Sequence, residues 1–114
     1  MQKFKLKSFE DRKKESDKVF NKYKNSIPVI VDTNTENVQQ LDKNKYIVPN
    51  HMQFSEFIVI LRKRLTIKPE QSIFLLINNR LMTPSLSIKE IYNEHKEDDG
   101  FLYVIYKFEN TFGS

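Results

Sequence analysis

Apolar residues in this chain come in short blocks, and the spacing within each block predicts the element it forms. The segment Gly100–Ser114, GFLYVIYKFENTFGS, opens with Phe101, Tyr103 and Ile105 alternating with Leu102, Val104 and Tyr106. A segment that is apolar on both faces reads as a strand buried between two layers. From Lys107 the run breaks up, and a polar tail leads to Phe112-Gly113-Ser114. Most domains end soon after their last packed element, so the tail is expected to reach something outside the fold.

The other blocks read in turn. Phe4 and Leu6 are the only apolar anchors of QKFKLKS (2–8), a short helix or arm. Ser8 or Glu10-Asp11 then opens a helix to about Lys24, acidic in its first turn and basic in its last, as the macrodipole favours. Its sparse apolar marks (Phe9, Val19, Phe20, Tyr23) place it on the surface with one narrow stripe buried. IPVIVDT (27–33) is a β-branched strand with Pro28 at its start, where a missing N–H is tolerated. KYIVPN (45–50) is a second strand, and Pro49, which cannot donate to a ladder on one side, marks it as an edge or as the strand's end. A helix over about Gln53–Leu65 carries Phe54, Phe57, Ile58, Leu61 and Leu65 at helical spacing. SIFLLIN (72–78) is a continuous apolar strand closed by the Asn78-Asn79 turn. Ser87-x-x-Glu90 is a capping box for a helix bearing Ile88, Ile91 and Tyr92. This order predicts an α+β fold of β-grasp type: a four-stranded mixed sheet on a central helix, plus two N-terminal helices covering what that helix leaves bare. Residues 1–24 form a basic helical extension, 25–108 the β-grasp domain and 109–114 a flexible tail.

Composition narrows the chemistry. The 114 residues suffice for one domain with a real core. There is no cysteine, so disulfides, thiolate metal sites and a Cys nucleophile are excluded, in keeping with a reducing cytosol. No run approaches a membrane span, and the N-terminus lacks the apolar stretch of a secretory signal. Residues 1–24 hold nine Lys/Arg and four Asp/Glu (+5), and the remainder ten and eleven (−1), which makes up the net +4. A basic arm on a near-neutral body suggests an acidic partner; a solvated helix of mixed charge is the alternative.

Several ordered blocks resemble the autophagy ubiquitin-like modifiers, the group of the GABA-receptor-associated and light-chain-three proteins. They are FEDRKKE (9–15), IPVIV (27–31), LDKNKYIVP (41–49), ILRKR (60–64), NN (78–79), IYNEHKEDDGFLYVIY (91–106) and ENTFG (109–113). The resemblance implies a ubiquitin-like modifier that is not an enzyme and uses no cofactor. It would be cleaved after Gly113, flanked by Phe112, and carried by E1-like and E2-like enzymes. Attachment to phosphatidylethanolamine would follow, and a cysteine protease would process and delipidate it. The implied setting is the cytoplasm and, after conjugation, the autophagosome membrane, with a monomeric chain recruiting cargo receptors and adaptors that bear an aromatic-x-x-aliphatic motif. Glycine suits the acceptor position because it has no Cβ to obstruct a narrow enzyme tunnel.

An edge strand leaves backbone groups unpaired, so an extended peptide could add to Lys45–Asn50. Period two sets Lys45 and Ile47 on one face, Tyr46 and Val48 on the other. The resemblance implies an aromatic pocket among Glu15, Val19, Pro28, Ile30, Lys45, Ile47 and Phe101. It implies an aliphatic pocket among Tyr46, Val48, Pro49, Met52, Phe57 and Ile60, with Arg64 at the rim. The chain also departs from the family. Ser26 stands where Arg is usual, which weakens one expected contact to an acidic motif. Phe20 replaces a usually basic residue, suggesting an exposed apolar patch or a contact to the arm. Phe108 takes a usually small or polar position, suggesting a tail that folds back. Gln53 is a poor N-cap where Thr is common.

Other functions find less support in the residues. His51 and His95 are the only histidines and stand far apart, and neither has a partner imidazole or a nucleophile to suggest catalysis or metal binding. Nucleic-acid binding would have to use the basic arm, where aromatic residues interleave only lightly and no recognition motif occurs. A ubiquitin-like adaptor that is never conjugated, and binds peptides or the cytoskeleton through that arm, is the remaining alternative.

Overall fold

The computed structural model describes residues 3–33 and 41–109. A 3-10 helix (Lys3–Leu6) and helix α1 (Phe9–Lys22) precede strands β1 (Ser26–Asp32) and β2 (Lys45–Pro49). Helix α2 (Phe54–Arg64), strands β3 (Ile73–Ile77) and β4 (Arg80–Leu81), helix α3 (Ile88–His95) and strand β5 (Leu102–Phe108) complete the order. The sheet runs β2-β1-β5-β3-β4, so the last strand lies at its centre. β5 is parallel to β1 and antiparallel to β3.

The sheet has five strands rather than the four expected. Asn78 and Asn79 both take positive φ (53° and 63°), the geometry of a two-residue hairpin turn, and the chain continues into Arg80–Leu81 opposite Leu76 and Ile77. Two residues are too few to show alternation. Pro28 sits just before the β5 pairing begins at Val29, so that flank of β1 needs no ladder hydrogen bond there. β2 lies at the sheet edge.

One face of the sheet packs on α2 and α3. Phe54, Phe57, Leu61, Leu65, Ile88 and Ile91 join Val29, Val31, Leu75, Leu102, Val104 and Tyr106 in the main core. Ser87 accepts from the Glu90 N–H and Glu90 from the Ser87 N–H, both at 3.1 Å, which forms the capping box. At the start of α2, the Glu56 carboxylate accepts the Gln53 N–H at 3.1 Å, so the weak N-cap is partly compensated.

The other face receives the N-terminal elements. Ser8 caps α1 by accepting the Asp11 N–H, and α1 ends at Lys22 rather than Lys24. A buried network ties α1 to the loop before β5. Asp99, 1% exposed, accepts from Arg12 Nη1 (2.7 Å), Tyr103 Oη (2.5 Å) and the Phe101 N–H (3.0 Å). Ser16 Oγ donates to the Asp99 carbonyl at 2.6 Å. The Tyr103 hydroxyl is pushed well above its usual pKa, first by burial and then by its bond to Asp99. The Arg12 guanidinium is raised by its hydrogen bonds to Tyr103 and Asp99 against the opposing effect of burial.

Two departures from the family resolve within the core. Phe20 is half-buried and meets Tyr92 of α3 edge-on at 5.9 Å, so it is neither an exposed patch nor a contact to the arm. Phe108 ends β5 opposite Ile73, is 6% exposed and packs at 6.0 Å from Tyr106, so it belongs to the sheet. The strand therefore runs past the apparent break at Lys107. Phe112, Gly113 and Ser114 lie outside the described residues.

Candidate peptide-binding edge

β2 carries two hollows, one toward each face of the sheet. Its residues alternate between buried (Tyr46, Val48) and more exposed (Lys45, Ile47, Pro49), the signature of a strand with one face on the core.

The hollow toward α2 holds about 350 Å³ and is lined by Lys43, Lys45, Tyr46, Ile47, Val48, Pro49, Met52, Phe57, Ile60 and Arg64. All seven residues expected around an aliphatic anchor meet there. Helix α2 supplies Phe57, Ile60 and Arg64 at spacings of three and four, which places them on one face. Tyr46 meets Phe57 edge-on at 6.0 Å, and the Arg64 and Lys43 cations lie 5.4 and 5.6 Å from its ring centre. The hollow is thus apolar within and cationic at its rim. Burial raises the Tyr46 hydroxyl pKa, with Arg64 partly opposing.

The hollow toward α1 holds about 450 Å³ and is lined by Glu15, Lys18, Val19, Lys22, Tyr23, Lys45 and Ile47. Four of the seven residues expected around an aromatic anchor line it: Glu15, Val19, Lys45 and Ile47. The other three do not. Pro28 is buried in register with Ile47, and Phe101 is fully buried. Ile30 lines a separate hollow of about 240 Å³ with Lys3, Phe4, Lys7, Asp32 and Asn44. Lys18, Lys22, Tyr23 and, in the first hollow, Lys43 were not anticipated. Helical spacing alone would have found the α1 residues, because 15, 18, 19, 22 and 23 share one helix face.

Glu15 stands at the junction. It accepts from Lys7 at 2.6 Å and from Lys45 at 2.9 Å. Partial burial pushes its pKa up, but the hydrogen bonds from both lysines outweigh this and hold it below the usual value. Several cations of the basic arm are likewise engaged within the chain: Lys5 with Glu97, Arg12 with Asp99 and Lys13 with Asp17. His95 meets Asn78 through Nδ1 at 3.1 Å and Glu94 through Nε2 at 3.6 Å. Among the described residues no group of three or more His, Asp or Glu could hold a metal ion, and no helix is long and apolar enough to cross a membrane.

Comparison with known proteins agrees with this architecture. The family described as autophagy protein Atg8, ubiquitin like, matches residues 11–113. Autophagy-related protein 8 of Vanderwaltozyma polyspora is 42% identical over 107 residues, covering 93% of this chain and 91% of the relative. The fold is similar to Trypanosoma brucei ATG8, with a TM-score of 0.89, 30% identity and 96% of each chain covered. It is similar also to Plasmodium falciparum Atg8 in complex with a Plasmodium falciparum Atg3 peptide, with a TM-score of 0.85 and 32% identity. That likeness covers 94% of this chain and 96% of the other.

Proposed function

This chain belongs to the Atg8 family of ubiquitin-like autophagy proteins, and on that footing we propose that it is a lipid-conjugated modifier that recruits peptide-bearing partners at β2. Conjugation to phosphatidylethanolamine would proceed through the Gly113 carbonyl carbon after E1-like and E2-like carriage, and would place the protein on the autophagosome membrane. The Plasmodium relative's complex with an Atg3 peptide supports contact with the conjugation machinery.

The observation that carries the peptide reading is the pair of hollows on opposite faces of one edge strand. A peptide added beside β2 is extended, so its residues i and i+3 point to opposite faces, roughly 10 Å apart along the strand. An aromatic-x-x-aliphatic motif therefore sends one anchor toward α1 and the other toward α2. The cations Lys18, Lys22, Lys43 and Arg64 around the hollows suit acidic residues flanking the motif, which speeds encounter and favours such partners. Unpaired backbone groups of β2 supply the remaining hydrogen bonds.

An NMR titration with an acidic Trp-x-x-Leu peptide tests this. Amides of Ile27, of 29–31 and of Lys45–Val48 should shift, and a Trp-x-Leu control, with both anchors on one face, should bind at least about tenfold more weakly, the cost of losing one buried anchor. An undisturbed spectrum, or equal binding of the two peptides, would exclude the site. For conjugation, Gly113→Ala should abolish the membrane-bound form in a reconstituted lipidation reaction, and persistence of that form would place the acceptor elsewhere.

A further inference from the structure

The N-terminal 3-10 helix Lys3–Leu6 has no buried residue of its own, yet it covers something. Its Phe4 ring stands edge-on to Phe101 with centroids 4.8 Å apart, and 6.5 Å from Tyr103. Ile30, Phe101 and Tyr103 form an apolar cluster apart from the main core, and Phe4 packs on it. Ile30 and Phe101 are 1% and 0% exposed. In register, Ile30 is the β1 partner of Lys45, so the covered cluster adjoins the α1-side hollow on the same sheet face. The ion pairs of Lys7 and Lys45 with Glu15 stand between them.

We infer that Phe4 is a displaceable cap on the deep end of the aromatic site and sets which aromatic side chain the site accepts. Seated, it leaves the hollow bounded by Glu15, Val19, Tyr23 and Ile47. Displaced, it opens Ile30 and Phe101 to a large ring. The inference rests on the peptide-binding reading and adds its selectivity.

The cap is lightly held. A single 3-10 turn has few hydrogen bonds, here Lys7 N–H to the Phe4 carbonyl at 3.1 Å. Its other ties are the ion pairs Lys5–Glu97 and Lys7–Glu15, the Lys5 cation 4.3 Å from the Tyr103 ring centre and, where the segment meets α1, Arg12 Nε donating to the Lys7 carbonyl at 3.2 Å. The ion pairs are partly exposed and therefore weak. α1, in contrast, is anchored by the buried Arg12–Asp99 pair, so the wall of the hollow stays in place when the cap leaves. A carboxylate beside the peptide's aromatic residue competes with Glu15 for Lys7 and Lys45. The ligand that needs the floor thereby loosens the segment covering it.

Calorimetric titration of the 114-residue chain with acidic Trp-x-x-Leu and Phe-x-x-Leu peptides tests the cap. Phe4→Ala should bind the Trp peptide about three- to tenfold more tightly than wild type, the size of one aromatic pair, and gain less for the Phe peptide. Lys5→Glu, which keeps the ring but sets like charges beside Glu97, should shift Trp affinity in the same direction by a smaller factor. No gain for the Trp peptide in either variant, or an equal gain for both peptides in Phe4→Ala, overturns the cap. If wild type binds and the variants gain nothing, the cap alone fails. If neither wild type nor Phe4→Ala binds either peptide, the peptide site fails and the cap with it.

Discussion

Gly100 leaves no room for a side chain beside Ser16 of α1, and replacing it with alanine tests how the N-terminal helix is seated. Its φ is +89°, a conformation that costs a residue with a Cβ about 1–2 kcal/mol. The added Cβ would lie 2.4 Å from Ser16 Oγ and 2.9 Å from Ser16 Cβ. Ser16 Oγ could turn away about χ1, but Ser16 Cβ is fixed to the backbone, so the helix itself must shift. Overpacking of this kind adds about 1–3 kcal/mol. Disturbing the buried bond from Ser16 Oγ to the Asp99 carbonyl adds about 1 kcal/mol more. Gly100→Ala should therefore lose about 3–6 kcal/mol, a large share of the stability of a small domain. Urea unfolding followed by circular dichroism should show a midpoint lower by about 1 M or more at unchanged m. Ser16→Gly in the same chain removes both colliding atoms. The double variant should then be more stable than the sum of the single effects by about 1 kcal/mol or more, even after the helix cost of glycine. A loss under about 1 kcal/mol for Gly100→Ala, or strict additivity in the double variant, would refute the collision.

Two further outcomes are expected. Glu15 has a folded pKa below its reference value of 4.5, so its contribution is present above that value and is lost as pH falls through the lower folded one. The stability gap between wild type and Glu15→Gln, at most about 1 kcal/mol for such partly exposed pairs, should shrink progressively as pH falls below 4.5 in urea titrations, and a gap that does not shrink on acidification would contradict the Lys7–Glu15–Lys45 arrangement. The Tyr46 hydroxyl is buried without a hydrogen-bond partner among the described residues, so Tyr46→Phe should leave stability unchanged or raise it by about 1 kcal/mol; a loss above about 1 kcal/mol would show that the hydroxyl is satisfied.

Much of the candidate edge was legible because it is built from local periodicity. The alternation of Lys45 to Pro49 announces a half-buried strand, Pro49 marks its edge, and the spacing of Phe57, Ile60 and Arg64 puts them on one helix face. The resemblance groups seven residues around an aliphatic anchor, and all seven line the α2-side hollow. Of the seven it groups around an aromatic anchor, four line the α1-side hollow, because whether Ile30 and Phe101 are open or covered depends on where Phe4 lands. Two lone apolar residues in a lysine-rich segment do not announce that. Asp99 was similarly hidden: within the acidic run Glu94–Asp99 it reads as loop charge, yet it is the buried acceptor for Arg12, 87 positions away.

By itself, then, the sequence determined the element types, their order and most of their ends. Those depend on caps, turns and periodicities that act within a few residues, such as Ser8, the Ser87–Glu90 box and the apolar run of β5. The tertiary structure decided what long-range packing controls. It added the fifth strand, which exists only by pairing with β3, and placed Phe20 against α3 and Phe108 in the sheet. It also divided the α1 face into an open hollow and a floor beneath Phe4. In each of these cases the deciding partner is distant in sequence, and burial depends on which surfaces meet rather than on which residues are neighbours.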